Sequence, residues 1–414
     1  MVGGITEEHC KKDMQDAKAL GIDAFALNFN QFADWSRQTV DHLFNSADSY
    51  QFKLFFSFDM ASGYFTDPSQ YAQYLSQYMS RNAYFKIRGK PLVTTFGGGD
   101  ISDRAWRNFK ASLDAEIILI LGLHSTAANS SLFDQFPSLD GIFNWDSWPN
   151  ISSGKKPVST TSDITYHRAA KKSISRKLFM MGLSPLQFKH INPQNNWYRR
   201  GESNLENRIP QVLDLQPDLL QIQSWNDAGE SHYMGNSWLE PIEHASEIRA
   251  YTEGYDHRGY WEVLPAFIQA WKRGDRTTAD MVPTGAGLAA QGVFWHHTLL
   301  VNGRCAANKF GLERPKGVEN AEDSVTGIIL IAKNQRNITA TVTSGTKHLG
   351  TTRLHPGYNK FSFSGMTTGT VTVNVLKGDE IIMSGVGPIQ VVDSADLWNY
   401  NYQVVGLKPC GARG

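Results

Sequence analysis

Cysteine is scarce in this 414-residue chain. Its three cysteines, Cys10, Cys305 and Cys410, are too few for a disulfide framework, and none lies in a CxxC or metal-finger spacing. A bond between Cys305 and Cys410 would leave Cys10 unpaired. The sequence leaves open whether that bond forms.

An excess of either charge is also missing, because 40 Lys and Arg residues balance 40 Asp and Glu residues. This balance gives no electrostatic footprint for nucleic acid or for an anionic membrane, so neither partner is expected. The longest apolar run, at 117–123, falls far short of the ~20 residues of a membrane helix. The composition therefore favours a soluble protein with a neutral ligand.

Signals for export are weak. The opening residues, MVGGITEEH, have neither the basic nor the apolar region of a signal peptide. N-x-S/T triplets at Asn129, Asn150 and Asn337 support a secretory route only slightly, since such triplets are common by chance.

Motifs of several enzyme classes are absent. GGGD at 97–100 has neither the GxGxxG spacing of a dinucleotide site nor a P-loop lysine. The chain contains no GxSxG nucleophile motif and no HExxH zinc motif. We therefore expect no cofactor and no metal.

What the chain does contain is a series of short apolar runs separated by helix-compatible stretches. The runs lie at 21–29, 52–60, 90–96, 116–123, 140–146, 177–185 and 218–227. Continuous apolar character predicts parallel strands buried on both faces. With MVGG as the stub of an eighth strand, the repeats predict a (β/α)₈ TIM barrel over residues 1–280. A doubly wound open sheet is the competing architecture.

Helix signals support this alternation. Thr6 is expected to cap a helix that closes at Gly21, and Thr66 or Asp67 to cap another. From about 283 the pattern changes to short β-type runs between Gly and Thr turns, which predicts an antiparallel β-sandwich over 281–414. We expect this second domain to be an accessory one, with carbohydrate binding a minor alternative.

Polar residues close nearly every predicted barrel strand. They are Asn28, Asn30, Asp59, His124, Asp146, Ser184, Asn226 and Asp227. Each taken singly is explained by a turn or a helix cap. Their recurrence at the ends of the strands, where barrel enzymes carry their active sites, favours a functional site.

Carboxylates and aromatic residues occur together at these strand ends. Tyr64 follows Asp59, Trp145 and Trp148 flank Asp146, and Trp225 precedes Asp227 and Glu230. In a neutral protein this combination is typical of sugar chemistry, where rings cover the sugar and acids move protons. One carboxyl group must be protonated and the other ionised. We expect His232 to hydrogen-bond the substrate or a catalytic carboxylate.

Several segments resemble glycoside hydrolase family 71, the fungal α-1,3-glucanases or mutanases. They are GIDAFALN, FKLFFSFDM, KPLVTTF, FNWDSWP, NNWYRRGE and above all SWNDAGESHYMG at 224–235. The similarity runs in order from about residue 1 to 275. It implies a (β/α)₈ barrel followed by a sandwich, and hydrolysis of α-1,3-glucan with inversion.

The resemblance also implies roles for particular residues. Asp227 and Glu230 correspond to the acid/base pair, and Asp59 to another essential carboxylate. We favour Glu230 as general acid and Asp227 as base, although the sequence does not settle their order. Substrate contacts are expected from Asn28, Tyr64, Trp145, Asp146, Trp225, Asn226, His232 and Tyr233. A monomer in the extracellular space or cell wall is expected.

The chain departs from the family pattern at three places. Leu186 and Gln187 stand where an aromatic pair is usual, tryptophans are missing from 202–209, and the first strand is expected to extend upstream of residue 1. These differences put the glucan subsites in question. Two alternatives therefore remain: another barrel glycosidase such as an endo-mannosidase, and a catalytically weakened glucan-binding protein.

Overall fold

The computed structural model describes residues 2–410. The chain divides into two compact units. The first contains the chain up to Ser147 together with 159–183 and 217–222. The second contains 148–158, 184–216 and the chain from 223 onward. The predicted division into domains 1–280 and 281–414 stays a prediction.

The strands are numbered along the chain. The first ten are β1 Ala24–Phe29, β2 Lys53–Asp59, β3 Lys86–Ile87, β4 Lys90–Phe96, β5 Ile118–Leu123, β6 Gly141–Asn144, β7 Leu178–Leu183, β8 Gln187–Asn192, β9 Asn195–Arg199 and β10 Leu219–Ile222. The later ones are β11 Ala290–His297, β12 Leu299–Cys305, β13 Ser324–Ile331, β14 Ile338–Ser344, β15 Lys347–Leu354, β16 Gly357–Ser364, β17 Val371–Lys377, β18 Glu380–Val386, β19 Val392–Ala395, β20 Tyr402–Gly406 and β21 Lys408–Pro409.

The helices alternate with the early strands. They are α1 Glu7–Ala19, α2 Asp34–Tyr50, α3 Ser69–Met79, α4 Asp103–Ala111, α5 Leu132–Gln135, α6 Thr161–Lys172, α7 Leu205–Leu215, α8 Ser246–Thr252 and α9 Leu264–Arg273. Thr6 caps α1 as predicted, in a capping box with His9. Across residues 2–410, no helix combines the length and the apolar character needed to cross a membrane.

The first unit is built on an eight-stranded sheet in the order β1-β2-β4-β5-β6-β7-β10, with β3 paired to β4 off this path. Every predicted apolar run in this region forms one of the strands on the path, and the strands pair in parallel. The middle of β2 is buried throughout, because both faces of a parallel sheet are covered. The α/β prediction is confirmed at this level.

The predicted eighth strand is not found. Val2 has no regular structure and Gly3 and Gly4 form a turn. Met1 lies outside the described residues. Strands β1 and β10 are therefore the two ends of the sheet path. Two consecutive glycines explain the difference, since glycine disfavours extended structure and favours turns.

The second unit carries antiparallel sheets. A four-stranded sheet has the order β16-β13-β11-β20, and a five-stranded sheet the order β15-β14-β17-β18-β21. Side chains from both sheets contribute to one hydrophobic cluster, which includes Phe294, Ile329, Val342 and Val373. Cys305 and Cys410 are free thiols, as is the buried Cys10 of the first unit.

Candidate active site

The segment 224–235 closes on itself through its own backbone. Ser224 and His232 are joined by a hydrogen bond of 2.8 Å from the amide of Ser224 to the carbonyl of His232, and the amide of Met234 donates to the carbonyl of Ser224 at 2.8 Å. A third bond of 2.8 Å joins the amide of Gly235 to the carbonyl of Trp225. We call residues 224–235 the acidic loop. Its closure means that Asp227 and Glu230 are presented by a short, internally braced stretch of chain.

A turn of 3₁₀ helix, Ala228–Glu230, sets the spacing of the two acids. The Asp227 carboxylate caps this turn by accepting the Glu230 amide at 3.0 Å. The amide of Asp227 is itself held by the Ser224 hydroxyl at 3.0 Å. Asp227 thus has a structural role as a cap in addition to the chemical role expected for it.

Trp225 is packed at the base of the acidic loop. Its ring stacks on Trp261, with centroids 6.0 Å apart and an angle of 19°. A Cβ atom at Gly235 would lie 2.2 Å from the Trp225 ring, so this close approach requires glycine. The indole of Trp261 donates to the carbonyl of Met234 at 2.7 Å, which fixes the stack to the loop.

Glu230 is surrounded by side chains that stabilise negative charge. The Lys189 ammonium donates to its Oε1 at 3.1 Å, and the Gln187 amide donates to its Oε2. His232 Nε2 lies 3.4 Å from Glu230 Oε2 and 3.6 Å from Asp227 Oδ2. The His232 side chain is 7% exposed, whereas that of Asp227 is 45% exposed. A nearly buried histidine thus contacts both acids.

These contacts shift two pKa values in opposite directions. Burial alone would raise the pKa of Glu230, but the hydrogen bond and charge of His232, together with Lys189, hold it well below its usual range. Burial alone would lower the pKa of His232, yet the charges of Asp227 and Glu230 raise it above its ordinary value. These contacts favour a protonated His232 beside an ionised Glu230.

Ligand atoms of Asp227, Glu230 and His232 lie within 4.8 Å of one another, a grouping that could hold a metal ion. The ammonium of Lys189 already occupies one oxygen of Glu230 and repels a further cation. The cluster therefore suits proton transfer better than metal binding. The expectation of no metal stays a prediction.

The first unit holds a separate group of candidates at the carboxyl ends of its strands. Asp59 Oδ1 accepts hydrogen bonds of 2.9 Å from the amides of both Ala61 and Ser62. Burial raises the pKa of Asp59, although these two bonds and the charge of His124 oppose the shift. Asp59 is thus held by the backbone and favours its protonated form more than an ordinary aspartate does.

Aromatic rings line the neighbouring strand ends. The Phe96 ring stacks on His124 with centroids 4.2 Å apart and contacts Trp145 at 4.6 Å. Asp146 Oδ2 accepts the Ser125 amide at 2.8 Å. The structure therefore brings together the ends of β4, β5 and β6, as expected for parallel strands.

The remaining predicted residues differ in their surroundings. Asn28 is half-buried on β1, and Tyr64 is 59% exposed in the loop that follows Asp59. Asn226 is half-buried, and its carbonyl accepts the Ala228 amide at 3.0 Å. Tyr233 is buried, with its ring stacked on His257 and its hydroxyl bonded to the carbonyl of Tyr255. Tyr233 therefore supports the acidic loop from within the protein.

Two residues that contact Glu230 were not predicted from the sequence. Gln187 was noted only because it replaces a usual aromatic residue, and no role was predicted for Lys189. Both lie on β8, two positions apart, and the strand begins two residues after Pro185. The sequence signal that could have identified them is a glutamine and a lysine two positions apart, which places both side chains on one face of a strand.

Comparison with known proteins identifies the family of the chain. Residues 1–412 match the family model described as glycosyl hydrolase family 71. The chain is 28% identical over 426 residues to a mutanase of Penicillium rubens, covering 100% of this chain and 90% of that protein. It is 27% identical over 417 residues to the ascus wall endo-1,3-alpha-glucanase of Schizosaccharomyces pombe, covering 95% of this chain and 92% of that protein.

Among solved structures, the GH99 endo-alpha-mannosidase of Bacteroides thetaiotaomicron is similar with a TM-score of 0.48 and 13% identity, covering 65% of this chain and 80% of that one. The family model, by contrast, spans the parallel sheet, the acidic loop and the antiparallel sheets in one continuous match. This chain therefore belongs to glycosyl hydrolase family 71.

Proposed function

We propose that the protein hydrolyses α-1,3-glucosidic bonds of α-1,3-glucan, with Asp227 and Glu230 as its acid/base pair. The observation that carries the proposal is the acidic loop, which presents two carboxylates and a nearly buried histidine in mutual contact. The names of the Penicillium and Schizosaccharomyces relatives support the choice of substrate. Family membership supports the class of reaction.

In the proposed reaction Glu230 is the general acid and Asp227 the base. Glu230 receives the proton that His232 holds at 3.4 Å and passes it to the glycosidic oxygen as the bond from that oxygen to the anomeric carbon breaks. A water molecule attacks the anomeric carbon and gives its proton to Asp227. Asp227 then releases that proton to solvent and His232 regains one from solvent, which restores the starting state.

Asp59 is proposed as a further essential carboxylate, on the strength of the family resemblance and of its raised pKa. The exposed ring of Tyr64 and the rings of Trp145 and Trp225 supply apolar surfaces of the kind that pack on sugars. Asn28, Asp146, Asn226, His232 and Tyr233 complete the proposed binding residues.

Inversion needs roughly 6.5–9.5 Å between the two carboxyl groups so that a water molecule fits between them. Single oxygens of Asp227 and Glu230 approach within 4.8 Å, with His232 in contact with both. We propose inversion, since water attacks the anomeric carbon directly with Asp227 as base. The anomeric form of the first product, followed by NMR, distinguishes inversion from retention.

We also propose that the parallel sheet corresponds to a family (β/α)₈ barrel, of which the described residues form seven strands, and that the two antiparallel sheets form a β-sandwich. Their shared hydrophobic cluster supports the sandwich. The proposed domains are residues 1–280 and 281–414, and the protein is proposed to act as a monomer.

The direct test is to incubate the protein with insoluble α-1,3-glucan and measure reducing ends. The wild type should release sugar and Glu230→Gln should not. Absence of release by the wild type at every pH from about 4 to about 7 contradicts the proposal. Binding to the glucan without hydrolysis would instead identify a glucan-binding protein. Release from another linkage would identify a different glycosidase.

A further inference from the structure

The hairpin of β8 and β9 reaches Glu230 from more than forty positions away in the sequence. Gln187 and Lys189 lie two residues apart on β8, so their side chains share one face of the strand. Each holds a different oxygen of the same carboxylate, Gln187 the Oε2 and Lys189 the Oε1. Two donors on two oxygens fix the plane of the carboxyl group as well as its position.

Lys189 is itself held in place by the partner strand. It pairs directly with Trp197 of β9, and its ammonium lies 5.0 Å from the centre of the Trp197 ring. The Lys189 side chain is 19% exposed, so solvent screens its charge only in part. An ammonium fixed between a ring and a carboxylate interacts more strongly than one at the free end of a surface lysine.

Other charged and titratable groups around Glu230 come from its own loop and from α8. His232 and Asp227 belong to the acidic loop. On α8, the Tyr251 hydroxyl donates to the carbonyl of Gly229 at 2.7 Å, and Arg249 is paired with Glu253 at 3.0 Å. Glu247 of α8 accepts a bond from Ser246. Lys189 is thus a cation that contacts Glu230 from β8, outside both the acidic loop and α8.

We propose that Lys189 and Gln187 are positioning residues that clamp the Glu230 carboxyl group and keep its proton on His232 between turnovers. The catalytic role of the clamp, which is to set the acidity of the proton donor, rests on the proposed function. The effect of Lys189 on the pKa of Glu230 does not, and it is measured without substrate. With the clamp in place, Glu230 is a stronger acid that carries its proton only briefly.

The charge of Lys189 makes a measurable difference to Glu230. An opposite charge at this range lowers a carboxyl pKa by about one to three units. In Lys189→Met the midpoint of Glu230 ionisation should rise by at least about one pH unit. Lys189→Arg keeps the charge and should restore the midpoint to near the wild-type value.

The experiment is a ¹³C NMR titration of protein labelled at the glutamate carboxyl carbons, with the Glu230 signal assigned by its loss in Glu230→Gln. Lys408→Met is the matched control, because Lys408 pairs with Glu262 at 3.0 Å in the same unit. The control should leave the Glu230 midpoint unchanged. Lys189→Gln is a second neutral variant in case Lys189→Met does not fold.

An unchanged Glu230 midpoint in a folded neutral variant overturns the clamp. A raised midpoint supports it, even if no variant and no wild-type sample hydrolyses glucan, in which case the proposed function alone fails. Where the wild type is active, the alkaline limb of its kcat/KM profile follows loss of the proton held on His232, and it should also move upward in Lys189→Met because removing a nearby cation favours the protonated pair. In Gln187→Met the limb should stay near its wild-type position while kcat falls, because orientation is lost and charge is kept.

Discussion

Asp59 in the first unit and Glu230 in the second are both partly buried carboxylates, yet their pKa values move in opposite directions. Asp59 is held by two backbone amides, whereas Glu230 is held by a lysine, an amide side chain and a histidine. Burial dominates for Asp59, and nearby positive charge dominates for Glu230. The comparison teaches that nearby side-chain cations can outweigh burial in setting the direction in which a carboxyl pKa moves.

The largest expected effect comes from removing the acid of the second unit. Glu230→Gln should lower kcat on α-1,3-glucan by about a thousandfold, the usual scale for losing a positioned proton donor. The amide oxygen still accepts from Lys189, but the ion pair is lost, so thermal stability should fall as well and folding of the variant is checked by circular dichroism. An active Glu230→Gln protein would remove Glu230 from the pair.

Asp59→Asn tests the acid of the first unit. The amide oxygen still accepts the bonds from Ala61 and Ser62, so the loop is retained while the ionisable group is lost. We expect kcat to fall by more than about tenfold. Asp146→Asn, which likewise keeps the bond from Ser125, is the matched variant and should change KM more than kcat. Equal activity of Asp59→Asn and wild type would limit Asp59 to a structural role.

Glu206 provides a carboxylate for which burial outweighs nearby charge. Its side chain is nearly buried, and burial raises its pKa to about 7 against the opposing charges of Lys360 and Arg200. Since an unfolded glutamate has a pKa of about 4.3, the folded protein binds this proton more tightly. The stability from Glu206 is thus fully present below about pH 4 and is lost as the pH rises through about 7.

Glu206→Gln should therefore remove that decline, which amounts to about 3–4 kcal/mol in the free energy of unfolding between acidic and alkaline pH. Urea unfolding of both proteins at about pH 4 and about pH 8 measures the difference. The exposed Glu116→Gln serves as the control. If the free energy of unfolding changed with pH in the same way in the wild type and in Glu206→Gln, ionisation of Glu206 would not destabilise the folded protein.

The smallest expected effect concerns Tyr64, the exposed ring beyond Asp59. Tyr64→Ala should raise KM for glucan by about threefold to tenfold with little change in kcat, because stacking on one sugar contributes on the order of 1 kcal/mol. Tyr64→Phe keeps the ring and should behave like the wild type. A fall in kcat for Tyr64→Ala would indicate contact with the reacting sugar.

Local features of this fold were predictable from the sequence, because their causes are local. The apolar runs became β1, β2, β4, β5, β6, β7 and β10, and Thr6 capped α1. Asp227 and Glu230 could be singled out because they share one short motif. Gln187 and Lys189 could not, since they lie 43 and 41 positions from Glu230 and only the folded hairpin brings them there. The prediction of an eighth strand was wrong because two consecutive glycines favour a turn there.

The backbone closure of the acidic loop has a consequence for the order in which the enzyme assembles. Contacts among Asp227, Glu230 and His232 join residues a few positions apart, so their entropic cost is low and they form early. The Lys189 contact spans 41 positions and must wait for the hairpin to dock. The acidic loop would therefore take its shape before Glu230 acquires its wild-type acidity.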